Sequence, residues 1–141
     1  MNVENNLTVF VYGTLMHGFG NERVIDGFPH ENYRAMIDHV ELYDVGAFPA
    51  MIPGEHSYFG ELVVFDEKVK KDQLYRAMDH LEGYYKDEPG ASLYIRTPCK
   101  VRCDGVDVAT EVYFWNRSTD GLKYIDPLEY KSYREYRMGI V

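Results

Sequence analysis

Residues 94–115 read YIRTPCKVRCDGVDVATEVYFW, and this stretch decides the class of fold. Two runs rich in β-branched and aromatic residues flank Asp104-Gly105. Asp-Gly in that setting is among the strongest short hairpin signals, because a tight turn between strands needs positive φ at its central positions. Folding about the turn sets Arg102 opposite Asp107 and Val101 opposite Val108, so charge meets charge and apolar meets apolar. Strands are therefore expected over 94–103 and 106–115, paired antiparallel.

Upstream, residues 7–12 (Leu-Thr-Val-Phe-Val-Tyr) form a β-rich run that ends at Gly13, residues 33–45 are strand-like, and residues 58–65 make another strand. Between the last two lies an apolar stretch, 46–54, whose prolines at 49 and 53 exclude a central strand; it is read as an irregular segment that covers a core or lines a pocket. Residues 84–92, charged and bearing glycine and proline, read as a mobile surface loop. Asp126-Pro127-Leu128-Glu129 has the form of a helix start, with a capping Asp and Pro at the first position, and predicts a short tyrosine-rich helix to about Met138. Five or more strands with two or three helices argue for an α+β domain on a mixed, mainly antiparallel sheet, and residues 1–141 are expected to form one domain.

Leu74, Ala77, Met78 and Leu81 recur at the i, i+3, i+4, i+7 spacing of an amphipathic helix over 68–82, which Gly83 stops. At about 100° per residue, Glu82 projects roughly 40° from Met78, over the flank of the apolar stripe. Partial burial and the unpaired carbonyls of a last helical turn both disfavour an anion there, so the Glu82 carboxyl is expected to hold its proton unusually well, as a proton shuttle requires. A solvated glutamate at a fraying helix end has the same sequence. Residues 13–21 hold three glycines, and Asn21 is a candidate cap for a short helix through Ile25. A strand running into such a loop can aim successive N–H groups into one concavity and seat a small anion, although a plain strand-exit turn reads alike. Neither G-x-G-x-x-G nor the Lys-Ser/Thr of a P-loop is present, which removes a phosphate cradle.

Composition narrows the classes further. The chain has 141 residues and a formal net charge of −8 with no basic run, which argues against nucleic acid and an anionic membrane surface as partners. No targeting segment or membrane-spanning window is found, so the expected location is cytoplasmic. The five histidines show no ligand spacing and no metal site is indicated; Cys99 and Cys103, about 13 Å apart on an extended strand, are expected as thiols. Most of the 13 tyrosines are expected to pack.

Taken in order, five places resemble the γ-glutamylcyclotransferase-like (AIG2-like) family: Val11-Tyr12-Gly13-Thr14-Leu15 with Gly18 and Asn21, then Phe48-Pro49-Ala50 with Gly60-Glu61-Leu62, then Met78 to Tyr84 (MDHLEGY), Tyr94-Ile95-Arg96, and Glu111-Val112-Tyr113. No one motif is very specific; their order and spacing are. The resemblance covers residues 7–115 and leaves the tail unmatched. It implies a small β-barrel-like sheet with flanking helices and a site between the first-strand loop and the glutamate helix.

The reaction implied converts a small-molecule γ-glutamyl compound to 5-oxoproline and a free amine or amino acid, without a cofactor. In that implied site Glu82 moves the proton, and N–H groups of Gly13, Thr14 and Leu15 hold the α-carboxylate or polarise the γ-carbonyl. Tyr12 and Tyr113 are candidates for pocket walls or hydroxyl donors, with buried structural roles equally open. Arg96 either balances charge near the site or pairs with a carboxylate on the strand surface. Met16 stands where the family often has a basic residue. A non-catalytic module binding a metabolite or peptide, and a γ-glutamyl amidase or acyltransferase, are the competing readings. No Ser-His-Asp or Cys-His spacing supports a covalent acyl-enzyme.

Overall fold

The computed structural model describes residues 5–139. Seven strands form one sheet: β1 (Thr8–Val11), β2 (His30–Asp44), β3 (Pro49–Pro53), β4 (His56–Phe65), β5 (Tyr94–Cys103), β6 (Val106–Trp115) and β7 (Lys123–Tyr124), with helices α1 (Lys71–Glu82) and α2 (Tyr133–Met138). The strand order is β1-β4-β2-β5-β6, with β3 and β7 both added to the far end of β2, and every strand pairing is antiparallel. The hairpin is built as its sequence reads, with Arg102 opposite Asp107 and Val101 opposite Val108. The charge match across it is not realised, however, since Arg102 pairs with Asp38 of β2 at 3.0 Å.

β2 is the hub. Its first half pairs with β4 and its second half with β3, and the register shifts between Ile37 and Val40, where His39 takes φ 61°. Such a bulge increases local twist and bends the strand. The sheet curls until β1 and β6 lie beside one another, joined by a Thr8 to Thr110 hydroxyl hydrogen bond of 2.7 Å, yet no strand pairing links them among the described residues. The sheet is therefore barrel-like but not closed. All four residues of β1 are buried, and Phe10, Leu62 and Phe65 meet Leu74 and Met78 of α1 in a shared core. Among the described residues no helix is long and apolar enough to cross a membrane.

Four local expectations are corrected. Residues 49–53 are not irregular: they form an edge strand on β2 with a proline at each terminus, where a missing N–H costs least. The helix expected from Asp126 is a single turn, in which Asp126 caps Leu128 N–H and its carbonyl accepts from Tyr130 N–H. Phe59 N–H then donates to the Lys131 carbonyl at 2.7 Å, drawing residues 131–132 out along β4, and α2 begins afresh with Ser132 as its cap. Asn21 does not cap: it lies inside a 3-10 turn, Gly20–Val24, that follows Phe19, and its amide donates to the Thr14 hydroxyl at 2.8 Å. Residues 85–91 are exposed, as a loop should be, but the loop is fastened at its end by Ser92, fully buried, whose hydroxyl accepts from Tyr85 N–H and whose carbonyl accepts from Asn116 and Arg117.

α1 ends as Gly83 dictates. Gly83 has φ 63°, its N–H donates to the His80 carbonyl, and Tyr84 N–H donates to the Asp79 carbonyl, the paired bonds of a Schellman motif. A Cβ on Gly83 would sit 3.3 Å from the Leu93 Cβ as well as in a left-handed backbone. Gly83→Ala should therefore lower stability by about 1–2 kcal/mol in a denaturant titration. Gly90→Ala, with ordinary φ and open space around it, serves as the neutral control.

Candidate active site

A cavity of about 90 Å³ opens between the exit of β1 and the C-terminal end of α1. A single water needs roughly 10–15 Å³ on such a measure, so several waters or a small ligand can enter. Its lining includes Tyr12, Gly13, Thr14, Leu15, Glu82 and Tyr113, and so brings together the glutamate, the loop and the two tyrosines that the sequence nominates, though not Arg96. Phe48, Pro49, Leu93, Tyr94 and Asn21 complete much of the wall. Tyr94 carried no signal of a site beyond its place in a strand.

The two sides of the cavity differ in chemistry. On one side, Gly13 and Leu15 are buried and Thr14 half-buried, and the N–H groups of all three meet no acceptor among the described residues. Buried amides without a partner are uncommon, and water or an anion supplies the missing acceptor. The loop is held in shape from behind. Thr14 O accepts from Asn21 N–H, His17 N–H donates to Glu61 Oε1 at 2.7 Å, and Arg134 of α2 bridges Glu61 Oε2 and the His17 carbonyl. Gly13 lies so close to Pro49 that a Cβ there would fall 2.5 Å from the proline ring. Met16, the position where a basic residue was looked for, is instead core, 1% exposed and outside the cavity lining.

Glu82 faces this loop from the last residue of α1. No hydrogen-bond donor meets its carboxylate among the described residues. Burial, and after it the charge of Asp79 one turn earlier, push the Glu82 carboxyl up to about 7. The helix-end carbonyls enter less than expected, because the Gly83 and Tyr84 amides already occupy those of His80 and Asp79.

The tyrosine hydroxyls are turned to protein partners. Tyr12 donates to the Tyr113 carbonyl, Tyr94 to the Pro49 carbonyl, and Tyr113 to Asp79 Oδ1, each at 2.6 Å. Burial raises all three phenols, chiefly, so they stay neutral and serve the cavity as walls. Arg96 is absent from the lining: its guanidinium pairs with Asp79 at 3.1 Å, lies 3.8 Å from Glu111 and covers the Tyr75 ring at 3.8 Å. Of its two open roles it takes the carboxylate pairing, though at 15% side-chain exposure it is not a surface residue.

A family model described as gamma-glutamyl cyclotransferase, AIG2-like, matches residues 9–135, and the chain belongs to that family. The match runs past residue 115 into α2 and includes Arg134, so the tail is part of the shared pattern. A Vibrio cholerae protein, provisionally named a gamma-glutamylcyclotransferase, is 37% identical over 62 residues, which are 42% of this chain and about half (51%) of that protein. The fold is shared with solved structures of a Pyrococcus horikoshii protein (TM-score 0.62, 17% identity, 94% of each chain). It is shared also with a protein specific to uropathogenic E. coli (TM-score 0.67, 17% identity, 96% of this chain and 98% of that one).

The raised Glu82 carboxyl has a consequence for stability. An unfolded glutamate titrates near 4.3, whereas this one retains its proton to about 7, so between those values folding takes up a proton and stability falls as pH rises. The full loss is about 4 kcal/mol at most and is nearly complete by about pH 8. Glu82→Gln escapes it. The variant should unfold at higher denaturant than the parent at pH 8, with the gap narrowing towards pH 5.

Proposed function

We propose that this chain is a γ-glutamyl cyclotransferase-type enzyme. The α-amine of a γ-glutamyl compound attacks its own γ-carbonyl carbon, the bond from that carbon to the leaving nitrogen breaks, and 5-oxoproline and a free amine or amino acid depart. Nucleophile and electrophile belong to one molecule, so the protein's contribution is to hold the folded, near-attack conformer and to move protons. The observation that carries the reading is the unpaired Glu82 carboxyl, titrating near 7, on a cavity whose opposite lip is the amide ridge of Gly13, Thr14 and Leu15. Family membership supports it independently.

In this mechanism the ionised Glu82 accepts a proton from the α-ammonium, which must be neutral to attack, and returns it to the leaving nitrogen. A carboxylate with its pKa near ambient pH is a far better acceptor than one at 4.3 and is still largely ionised at physiological pH. The amide ridge binds the α-carboxylate or stabilises the oxyanion that develops at the γ-carbonyl, as dipoles already in place before reaction. The Tyr12, Tyr94 and Tyr113 rings shape the folded substrate and exclude water. No step requires a cofactor.

The decisive experiment incubates the protein with a panel of γ-glutamyl amines and γ-glutamyl amino acids and identifies products by mass spectrometry. The expected product is 5-oxoproline. Glutamate instead would make the chain an amidase, a γ-glutamyl group passed to an added amine an acyltransferase, and calorimetric binding without turnover a binding module. Glu82→Gln should lower turnover by about 10²- to 10⁴-fold. With the parent enzyme kcat/KM should rise with pH through an inflection near 7 as Glu82 ionises. Thr14→Pro, which deletes one ridge N–H, should raise KM, and an unchanged KM and rate would reduce the ridge to a turn.

A further inference from the structure

Behind Glu82, away from the cavity, lies a cluster of charged groups that the proposed chemistry does not use. Asp79 sits one helical turn before Glu82 on α1 and receives three hydrogen bonds: Arg96 Nε to Oδ1 at 3.1 Å, an Arg96 terminal nitrogen to Oδ2 at 3.4 Å, and Tyr113 Oη to Oδ1 at 2.6 Å. Arg96 is fixed in turn by the Tyr75 ring and by Glu111, whose Oε2 is buried without a hydrogen-bond partner among the described residues. Two carboxylates therefore share one guanidinium, and the cluster is formally negative by one charge.

An ion pair of this kind is a weak device for stability. Its side chains are 15% and 20% exposed, and the cost of desolvating two charges offsets much of their attraction. Its position is informative instead, because Asp79 touches both the backbone turn that carries Glu82 and, through Tyr113, the wall facing it.

We propose that Asp79 is a positioning residue for Glu82: a fixed anion, locked by Arg96 and Tyr113, that sets how readily the cavity carboxyl parts with its proton. This rests on the reading of Glu82 as the proton acceptor. The other groups facing Glu82 are Tyr12 at the exit of β1, Tyr94 from β5 and Tyr113 from β6, all neutral phenols, and no Lys, Arg or His lines the cavity among the described residues. Asp79 is thus the nearby charge through which the protein can act on Glu82, in line with its place after burial among the causes of the raised carboxyl. The effect on catalysis is to strengthen Glu82 as a base. An anion one helical turn away makes the carboxylate hold a proton more tightly, and proton transfer from the substrate ammonium becomes correspondingly more favourable.

The test titrates the Glu82 side-chain carbonyl directly by ¹³C NMR in labelled protein, assigned by its loss in Glu82→Gln, alongside the pH dependence of kcat/KM. Asp79→Asn keeps the shape and loses the charge. The Glu82 midpoint should fall by about half a unit to one unit, a three- to tenfold change in acid constant, and the acid limb of kcat/KM should move down with it. Asp79→Ser, also neutral, supplies the same measurement should the asparagine variant not fold. Asp79→Glu retains the anion and should keep the midpoint near the parent value.

An unmoved midpoint in a folded neutral variant overturns the proposal. So does an Asp79→Glu midpoint that drops as far as that of the neutral variants, because charge would then not be what the residue supplies. The NMR titration needs no turnover. A parent enzyme that makes no 5-oxoproline, with the midpoint still responding to Asp79, defeats the cyclotransferase reading alone.

Discussion

A carboxyl that meets no hydrogen-bond donor among the described residues, kept on the wall of a cavity, is the constraint on which the rest of this structure depends. Left to itself the end of α1 would fray and let Glu82 turn to solvent. Gly83 prevents this by closing the helix in a left-handed conformation, with its own N–H and that of Tyr84 returned to the last turn and its carbonyl accepting from Leu93 N–H. Leu93 then seats against the glycine and lines the cavity. The backbone device that stops the helix is thereby also the device that orients the acid, and the folded state carries an unfavourable charge for the sake of the site. Strain of this kind persists only where surrounding structure over-determines it.

The opposite lip is determined by different means. The residue 13–15 ridge leaves β1 at the place where β3 and the sheet's curl bring Pro49 against Gly13, a contact closed to any larger residue. From behind, Glu61 and Arg134 tie the loop to β4 and α2, so that a helix remote in sequence fixes amides near the N-terminus. Aromatic rings fill the space between. Their hydroxyls are each engaged by a protein acceptor, which leaves Glu82 as the one readily ionised side chain on the cavity among the described residues.

These features show how an open, curled sheet builds a cavity between its edges. The edges β1 and β6 approach closely enough for Thr8 to reach Thr110, and the cavity forms at the end of that seam, where Tyr12 reaches the Tyr113 carbonyl. Chemistry that needs chiefly confinement and a proton carrier suits such a seam, because the two walls come from strands distant in the chain and the width between them is set by packing. The Asp79, Arg96 and Glu111 cluster then lies under one wall, close enough to act electrostatically without touching a ligand.

Much of this was readable in the chain itself wherever the cause is local. The Asp104-Gly105 turn and the alternation around it determine the β5–β6 register, the apolar spacing from Leu74 to Leu81 determines α1, and Gly83 determines where that helix stops and hence on which flank Glu82 stands. Ser132-x-x-Glu135 is a capping signal of the same local kind, six residues beyond the stronger pattern at Asp126-Pro127. The remainder was decided by groups far apart in sequence. Pairing with β2 made residues 49–53 a strand, the reach of β4 divided the C-terminal helix, and burial took Met16 into the core. That Glu82 has Asp79 behind it was visible as a three-residue spacing, but that Asp79 is held by Arg96 and Tyr113 was not, because a turn or a helix period is dictated by neighbours along the backbone whereas a shared cavity exists only once the sheet has curled.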